Sequence, residues 1–222
     1  MLVKGIQRMT NGVIDEFVRA RAVAQNRANL DTPGFKQTLH GVRQGVLDRW
    51  RDDTQGPLKE TGRGLDIAAA PGIYFEVEKD GQAVLTTRGD LRMDTQGFLT
   101  VGSGERILDR AGNAIKVESL DSTSIDQSGN VYSNRKIVAT INRVRVDEVD
   151  QLGGTLFTPK VDTKIAEDSS ELSVGSLTAS NADLTRNQTD LIATIHRARI
   201  YTQAATLQDG TIDRAIRALL GN

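Results

Sequence analysis

The chain has 222 residues, 38% apolar and 26% charged, with a formal net charge of −1. That length supports one core plus an appended helical element, and near-neutral charge gives no basis for a nucleic-acid or anionic-membrane partner. Cysteine is absent, which excludes disulfides and thiolate metal sites. No apolar run approaches the ~18 residues of a membrane-spanning helix. The first residues lack the apolar stretch of ~7–15 residues that a cleavable signal peptide needs, so export, if it occurs, is expected to use another route.

Residues 2–29 carry a helical pattern. Leu2, Ile6, Met9, Val13, Phe17, Ala20 and Ala24 recur at spacings of three and four, which predicts one apolar face. Gly5 and Gly12 each weaken such a helix by roughly 1 kcal/mol relative to Ala. Thr32-Pro33-Gly34 ends it, since Pro33 biases Thr32 away from helical backbone and Gly34 permits a turn.

Residues 55–160 read as β-structure, with frequent glycine and alternation such as Ile73-Tyr74-Phe75-Glu76-Val77. An Asp-x-x-Gly segment recurs at Asp94–Gly97, Asp109–Gly112 and Asp126–Gly129, each followed by an apolar residue: Leu99, Ile115 or Val131. Asp suits the first position of a turn and Gly the position with positive φ. Aromatics are only 4% of the chain, so Val, Ile and Leu must build the β core.

Residues 181–220 hold the longest pattern. Leu184, Gln188, Leu191, Ile195, Ala198, Thr202, Ala205, Asp209, Ile212, Ile216 and Leu219 follow an unbroken alternation of four and three, a heptad seam. Asn181 or Asp183 can cap its start, and Arg214 and Arg217 suit its C-terminal end. The polar Gln188, Thr202 and Asp209 make this a marginal coil alone, a helix suited to partners.

These patterns predict an α+β chain. A mainly antiparallel β domain occupies residues 55–180. Long N- and C-terminal helices, within 1–54 and 181–222, are expected to pair into a coiled-coil-like assembly domain that is loosely held or disordered in the monomer.

Several segments carry a family resemblance. Gln25-Asn26-Arg27-Ala28-Asn29-Leu30-Asp31-Thr32-Pro33-Gly34-Phe35-Lys36 resembles the N-terminal signature of flagellar rod and hook proteins, with Gln25 and Arg27 departing from the usual residues. Gln55-Gly56-Pro57-Leu58-Lys59-Glu60-Thr61-Gly62-Arg63-Gly64-Leu65-Asp66 looks like the opening of that family's first β domain. Thr87-Arg88-Gly89-Asp90, Asp94-Thr95-Gln96-Gly97 and Ile125–Val131 follow in order. Gly175-Ser176-Leu177-Thr178-Ala179-Ser180-Asn181 is similar to a late motif, with Thr178 where Glu is common, and Arg199 and Tyr201 match an Arg-x-Tyr helix motif. Only 18 residues separate Lys36 from Gln55, and the wording around Glu60–Asp66 is most like a proximal rod protein. A distal rod or hook-type axial protein is the neighbouring alternative. A β-domain binding module with a homotypic coiled coil is the non-flagellar one.

The resemblance implies a structural subunit of the basal-body rod that polymerises helically through its terminal helices and transmits torque. It also implies partners among copies of itself, other rod and axial proteins and the flagellar export apparatus. The residues expected at the assembly contacts are Ile6, Met9, Val13, Phe17, Asn26, Asn29, Gly34, Phe35, Leu184, Leu191, Ile195, Arg199, Tyr201, Ile212, Ile216 and Leu219.

Other signals are weak. Asp126, Ser128 and Asn130 have the spacing of a calcium loop, but the later glycine and glutamate are missing. His40 and His196 are the only histidines, and neither has a sequence partner for metal binding. Gly62-Arg-Gly64 and Gly102-Ser-Gly104 lack the Lys-Ser/Thr pair of a phosphate loop, and no Gly-x-Ser-x-Gly elbow occurs. No catalytic residue, metal, cofactor or small-molecule substrate is expected.

Overall fold

The computed structural model describes the backbone of residues 2–43 and 46–220 and the side chains of residues 7, 9–41 and 48–207. The chain divides into two units, one of residues 1–30, 37–52 and 182–222, the other of residues 31–36 and 53–181.

The first unit is built from helix α1 (Leu2–Ala28), strands β1 (Thr38–Arg43) and β2 (Val46–Arg51), and helix α2 (Leu184–Leu220). Asp183 caps α2, its Oδ1 accepting the Arg186 N–H at 3.0 Å. β1 and β2 form an antiparallel hairpin in which Thr38 faces Arg51 and His40 faces Arg49. The hairpin is tied to α1 by Asn26, whose Oδ1 accepts the Thr38 N–H at 2.9 Å and whose Nδ2 donates to the Thr38 carbonyl at 2.9 Å. Asn26 thus acts as an extra strand residue, satisfying the start of β1.

The second unit is a sheet protein. Its strands are β3 (Leu58–Glu60), β4 (Ile67–Ala68), β5 (Ile73–Lys79), β6 (Gln82–Thr86), β7 (Leu91–Met93), β8 (Leu99–Val101), β9 (Arg106–Ile107), β10 (Thr123–Ile125), β11 (Asn130–Ser133), β12 (Lys136–Thr140), β13 (Arg143–Val146), β14 (Val149–Gly153), β15 (Leu156–Pro159), β16 (Ile165–Glu167), β17 (Ser173–Val174) and β18 (Ser176–Thr178). β5 organises the largest sheet. β6 pairs along it, while β13 pairs with its first half and β9 with its second half. Period-two alternation then sends Phe75 and Val77 to one core, with Ile107, Leu99 and Val131, and Tyr74 to another, with Phe157, Leu85 and Val146. Tyr74 and Phe157 meet edge to face at 5.6 Å.

The three Asp-x-x-Gly segments are turns, as their residue order predicts. Gly97, Gly112 and Gly129 have φ of 88°, 82° and 83°. Asp94 Oδ1 accepts the Gln96 and Phe98 N–H at 2.8 and 2.9 Å. Asp109 Oδ1 does the same for Ala111 and Asn113 at 2.9 and 2.8 Å. Each turn delivers a buried residue to the core: Leu99, Ile115 and Val131 are 0%, 2% and 0% exposed. The Asp126 carboxylate receives the Asn130 N–H, Asn130 Nδ2 and the Tyr132 hydroxyl at 2.9, 2.8 and 3.0 Å, so its acceptor capacity is spent on the turn.

The expected fold class needs correction. α+β fits only broadly, because the described chain has two helices against eighteen strands, and the terminal helices form no coiled coil. The helical unit includes a β-hairpin, and the predicted seam is only partly an inward face: Leu191, Ala198 and Ala205 are half-buried, but Leu184 and Ile195 are 47% and 56% exposed. Heptad spacing identifies an apolar stripe, but it does not say whether the chain itself covers that stripe.

Candidate assembly surface

In the helical unit the inward stripe of α2 keeps Leu191, Ala198 and Ala205 of the predicted seam but takes the residue before each of Gln188, Ile195 and Thr202. On α2 the buried positions are Asn187 and Thr194, with Leu191, Ala198, Tyr201 and Ala205 half-buried along the same line. On α1 they are Gly12, Glu16, Ala22, Val23 and Asn26. These side chains are mostly small or polar, and they meet through polar contacts. Arg197 Nε donates to Glu16 Oε1 at 2.8 Å, with Glu16 only 4% exposed. Asn26 Nδ2 donates to Asn187 Oδ1 at 3.2 Å. Gly12 lies against Tyr201: an added Cβ would come within 2.7 Å of the ring. Glycine here gives room for the aromatic ring, beyond its cost to the helix.

Most of the large apolar side chains point outward, Val23, Leu191 and Tyr201 being the inward ones. On α1, Ile14 and Phe17 are 55% and 64% exposed, with Val13 and Val18 beside them at 37% and 36%. On α2, Leu184, Ile192, Ile195, Ile200 and Leu207 are all exposed. Arg199 is exposed and Met9 half-buried. Sealing each large side chain from water would contribute on the order of 1 kcal/mol, since about half of its surface is already covered. A polar inside and an apolar outside is the reverse of a self-sufficient helical pair, and exposed apolar patches of this kind mark interaction surfaces.

Not all expected contact residues lie on this surface. Ile6, Ile212, Ile216 and Leu219 have side chains outside the described residues. Asn26 is buried in the helical unit, and Asn29 Nδ2 donates to the Gln25 carbonyl at 2.8 Å, ending α1. Phe35 is 1% exposed. Gly34 N–H donates to the Thr178 carbonyl at 2.7 Å, and its own carbonyl accepts Thr87 Oγ1 at 2.6 Å.

The β-unit segments that carry the resemblance meet at one junction. The Asn181 N–H reaches the Phe35 carbonyl at 3.2 Å, and Ala179 N–H reaches Pro57 at 2.8 Å. Gln55 Nε2 bonds Thr178 Oγ1 at 3.1 Å and the Ala69 carbonyl at 3.0 Å. A Cβ on Gly56 would lie 2.1 Å from the Ala179 carbonyl oxygen. Alongside, Arg88 forks onto Asp90 at 2.6 and 3.0 Å, and Thr61 and Arg63 bond Asp66 at 2.7 and 3.1 Å. These residue types are therefore set by the geometry of a crowded junction.

Comparison with known proteins gives the same grouping. The flagellar basal-body rod protein FlgF of Caulobacter vibrioides is 28% identical over 214 residues, 86% of this chain and 86% of its own length. The chain is a homologue of the flagellar basal-body rod proteins. The flagellar hook-basal body complex protein FlhP of Bacillus subtilis is 26% identical over 219 residues, covering 87% of this chain and 81% of the relative. FlgF of Salmonella typhimurium is 25% identical over 239 residues, covering 94% and 95%. No protein-family model matches the chain.

Sequence reasoning missed Glu16, Asn187, Thr194 and Arg197. The inward stripe at 187, 191, 194, 198, 201 and 205 shares Leu191, Ala198 and Ala205 with the predicted seam, but Asn187 and Thr194 are polar, so a search for apolar periodicity takes Gln188 and Ile195 beside them instead. Arg143, 2% exposed in the β unit, was also missed.

Proposed function

We propose that the chain is a structural subunit of the bacterial flagellar basal-body rod, of the proximal type, which assembles through the outward apolar stripes of α1 and α2. Its partners are copies of itself and other axial proteins of the hook-basal body complex, and it reaches them through the flagellar export apparatus. Its role is mechanical, with no substrate and no cofactor. Homology to rod proteins over most of the chain supports the placement. The single observation that carries the mechanism is the inverted polarity of the helical unit, apolar outside and polar within. A heterologous contact between such surfaces repeats into an open helix, as a rod requires.

The test uses Phe17→Asp and Ile195→Asp. Both side chains are more than half exposed, so each variant is expected to keep the wild-type melting profile as a purified monomer. Each is also expected to fail to restore rods in cells lacking the native gene. Rods assembled normally by both variants would refute the surface.

A further inference from the structure

The helical unit contains a built, polar cavity of about 100 Å³, lined by α1, the β1–β2 hairpin and α2. That is several times the room one water needs. Arg19, His40, Arg186 and Arg197 line it, with Asp190 as the carboxylate on the wall. Arg19 Nε and His40 Nε2 are buried and have no hydrogen-bond partner, and neither has the nearby carboxylate oxygen Glu16 Oε2. Buried donors without partners are costly, and a native site usually supplies the missing acceptor.

The charges facing His40 come from every element around it. α1 gives Glu16, Arg19 and Arg21, the hairpin gives Arg49, and α2 gives Arg186, Asp190 and Arg197. A neighbouring cavity shares Thr38 and His40 and is lined by Arg21 and Arg49. Glu16 is engaged by Arg197 at 2.8 Å and lies 3.9 Å from Arg19. Asp190 meets Arg186 only at 3.9 Å. Five arginines thus stand against two carboxylates around His40.

We propose that this cavity is an oxyanion seat, taking a phosphate or carboxylate group between Arg19 Nε, His40 Nε2 and the guanidinium groups of Arg186 and Arg197. Charge-assisted hydrogen bonds of this kind are the strong ones. Free phosphate and the carboxylate of a neighbouring chain share this chemistry. The seat stands apart from the rod assignment, since it needs only the folded helical unit. Without the anion, burial and then the nearby Arg19 and Arg49 hold the His40 pKa below its ordinary value. A bound anion opposes both causes and raises it.

The experiment titrates sodium phosphate, and separately sodium acetate, against sodium chloride at fixed ionic strength and follows the ring protons of the purified full chain by NMR. His196 is exposed and serves as the internal reference. The expected result is a saturable shift of His40, with His196 unmoved and the His40 titration midpoint moved upward. Arg19→Gln should weaken the response about tenfold or more, the loss of one charge-assisted bond. Should that variant lose helical signal, Arg186→Gln, at a position 58% exposed, should weaken it likewise. Saturation by phosphate alone assigns a free oxyanion, and equal saturation by acetate assigns a protein carboxylate. A linear response, equal shifts at both histidines, or unchanged binding in the variants would overturn the seat.

Discussion

Gly12 and Tyr201 lie against each other between the two helices, and they give the most direct single-residue test. Gly12→Val places methyl groups where the ring lies, with even the Cβ at 2.7 Å. Overpacking of this kind costs typically ~1–3 kcal/mol. The expected outcome is loss of helical circular dichroism with the β unit still folded, and partial recovery in Gly12→Val/Tyr201→Ala. Acid sensitivity is set by the turn aspartates. The Phe98 N–H, with the Gln96 N–H and Arg106 against the opposing effect of burial, holds the Asp94 carboxyl below its ordinary pKa. A depressed carboxyl stabilises the fold above its unfolded value of about 3.9, and this contribution disappears as pH falls through the lower folded value. Asp94→Asn should therefore be less stable than wild type at pH 7, with the gap closing in denaturant melts below about pH 4. Arg143 donates to the Ser170 carbonyl at 2.5 Å and to Ser128 at 2.8 Å, clamping the Asp126 turn from inside. Nothing in its sequence surroundings signals this, because its partners are backbone carbonyls far along the chain.

At the scale of elements, legibility followed locality. The Asp-x-x-Gly turns could be read directly, since both the acceptor and the positive-φ residue lie within the same few positions. The helices could be read as helices, because spacing alone marks them. Their inner and outer faces could not, because apolar periodicity marks whatever will be covered, by the same chain or by another. Met9, Val13, Phe17, Leu184, Leu191 and Ile195 were singled out as contact residues on that ground, and all but the half-buried Met9 and Leu191 are exposed in the structure. The pairing of β5 with β6, β13 and β9 was also illegible, since β13 lies far from β5 in sequence and no local pattern names a partner. β5 is where the sheet is most vulnerable. Phe75 is 0% exposed, and Phe75→Ala is expected to cost ~3–5 kcal/mol, measured as a lower denaturant midpoint for the β unit.

For the whole molecule, the two units differ in what holds them. The β unit has two apolar cores built from Val, Ile, Leu and a few aromatics. The helical unit buries few apolar side chains, Ala22 and Val23 among them, beside the Gly12–Tyr201 contact, and its Glu16–Arg197 and Asn26–Asn187 polar contacts contribute little net stability. Thermal unfolding should therefore occur in two steps. Helical signal near 222 nm should fall first, and amides of 184–207 should exchange faster than those of Phe75 and Val77. A single transition seen by both probes would argue against independent units. Assembly would then supply the stability the helices lack, because each partner covers an apolar stripe.

The junction of Gly34, Gln55–Pro57 and Thr178–Asn181 has one more consequence. β3 pairs with β18 and β4 with β17, so the first and last strands of the β unit are zipped side by side. The polypeptide thus goes in and comes out through the same doorway. What lies beyond that doorway can lengthen, shrink or be swapped for another cassette without moving its two hinge posts, provided the short ladders and the glycine at 56 are kept. A grafted reporter domain placed between these ladders should leave the helical unit unaware of the exchange.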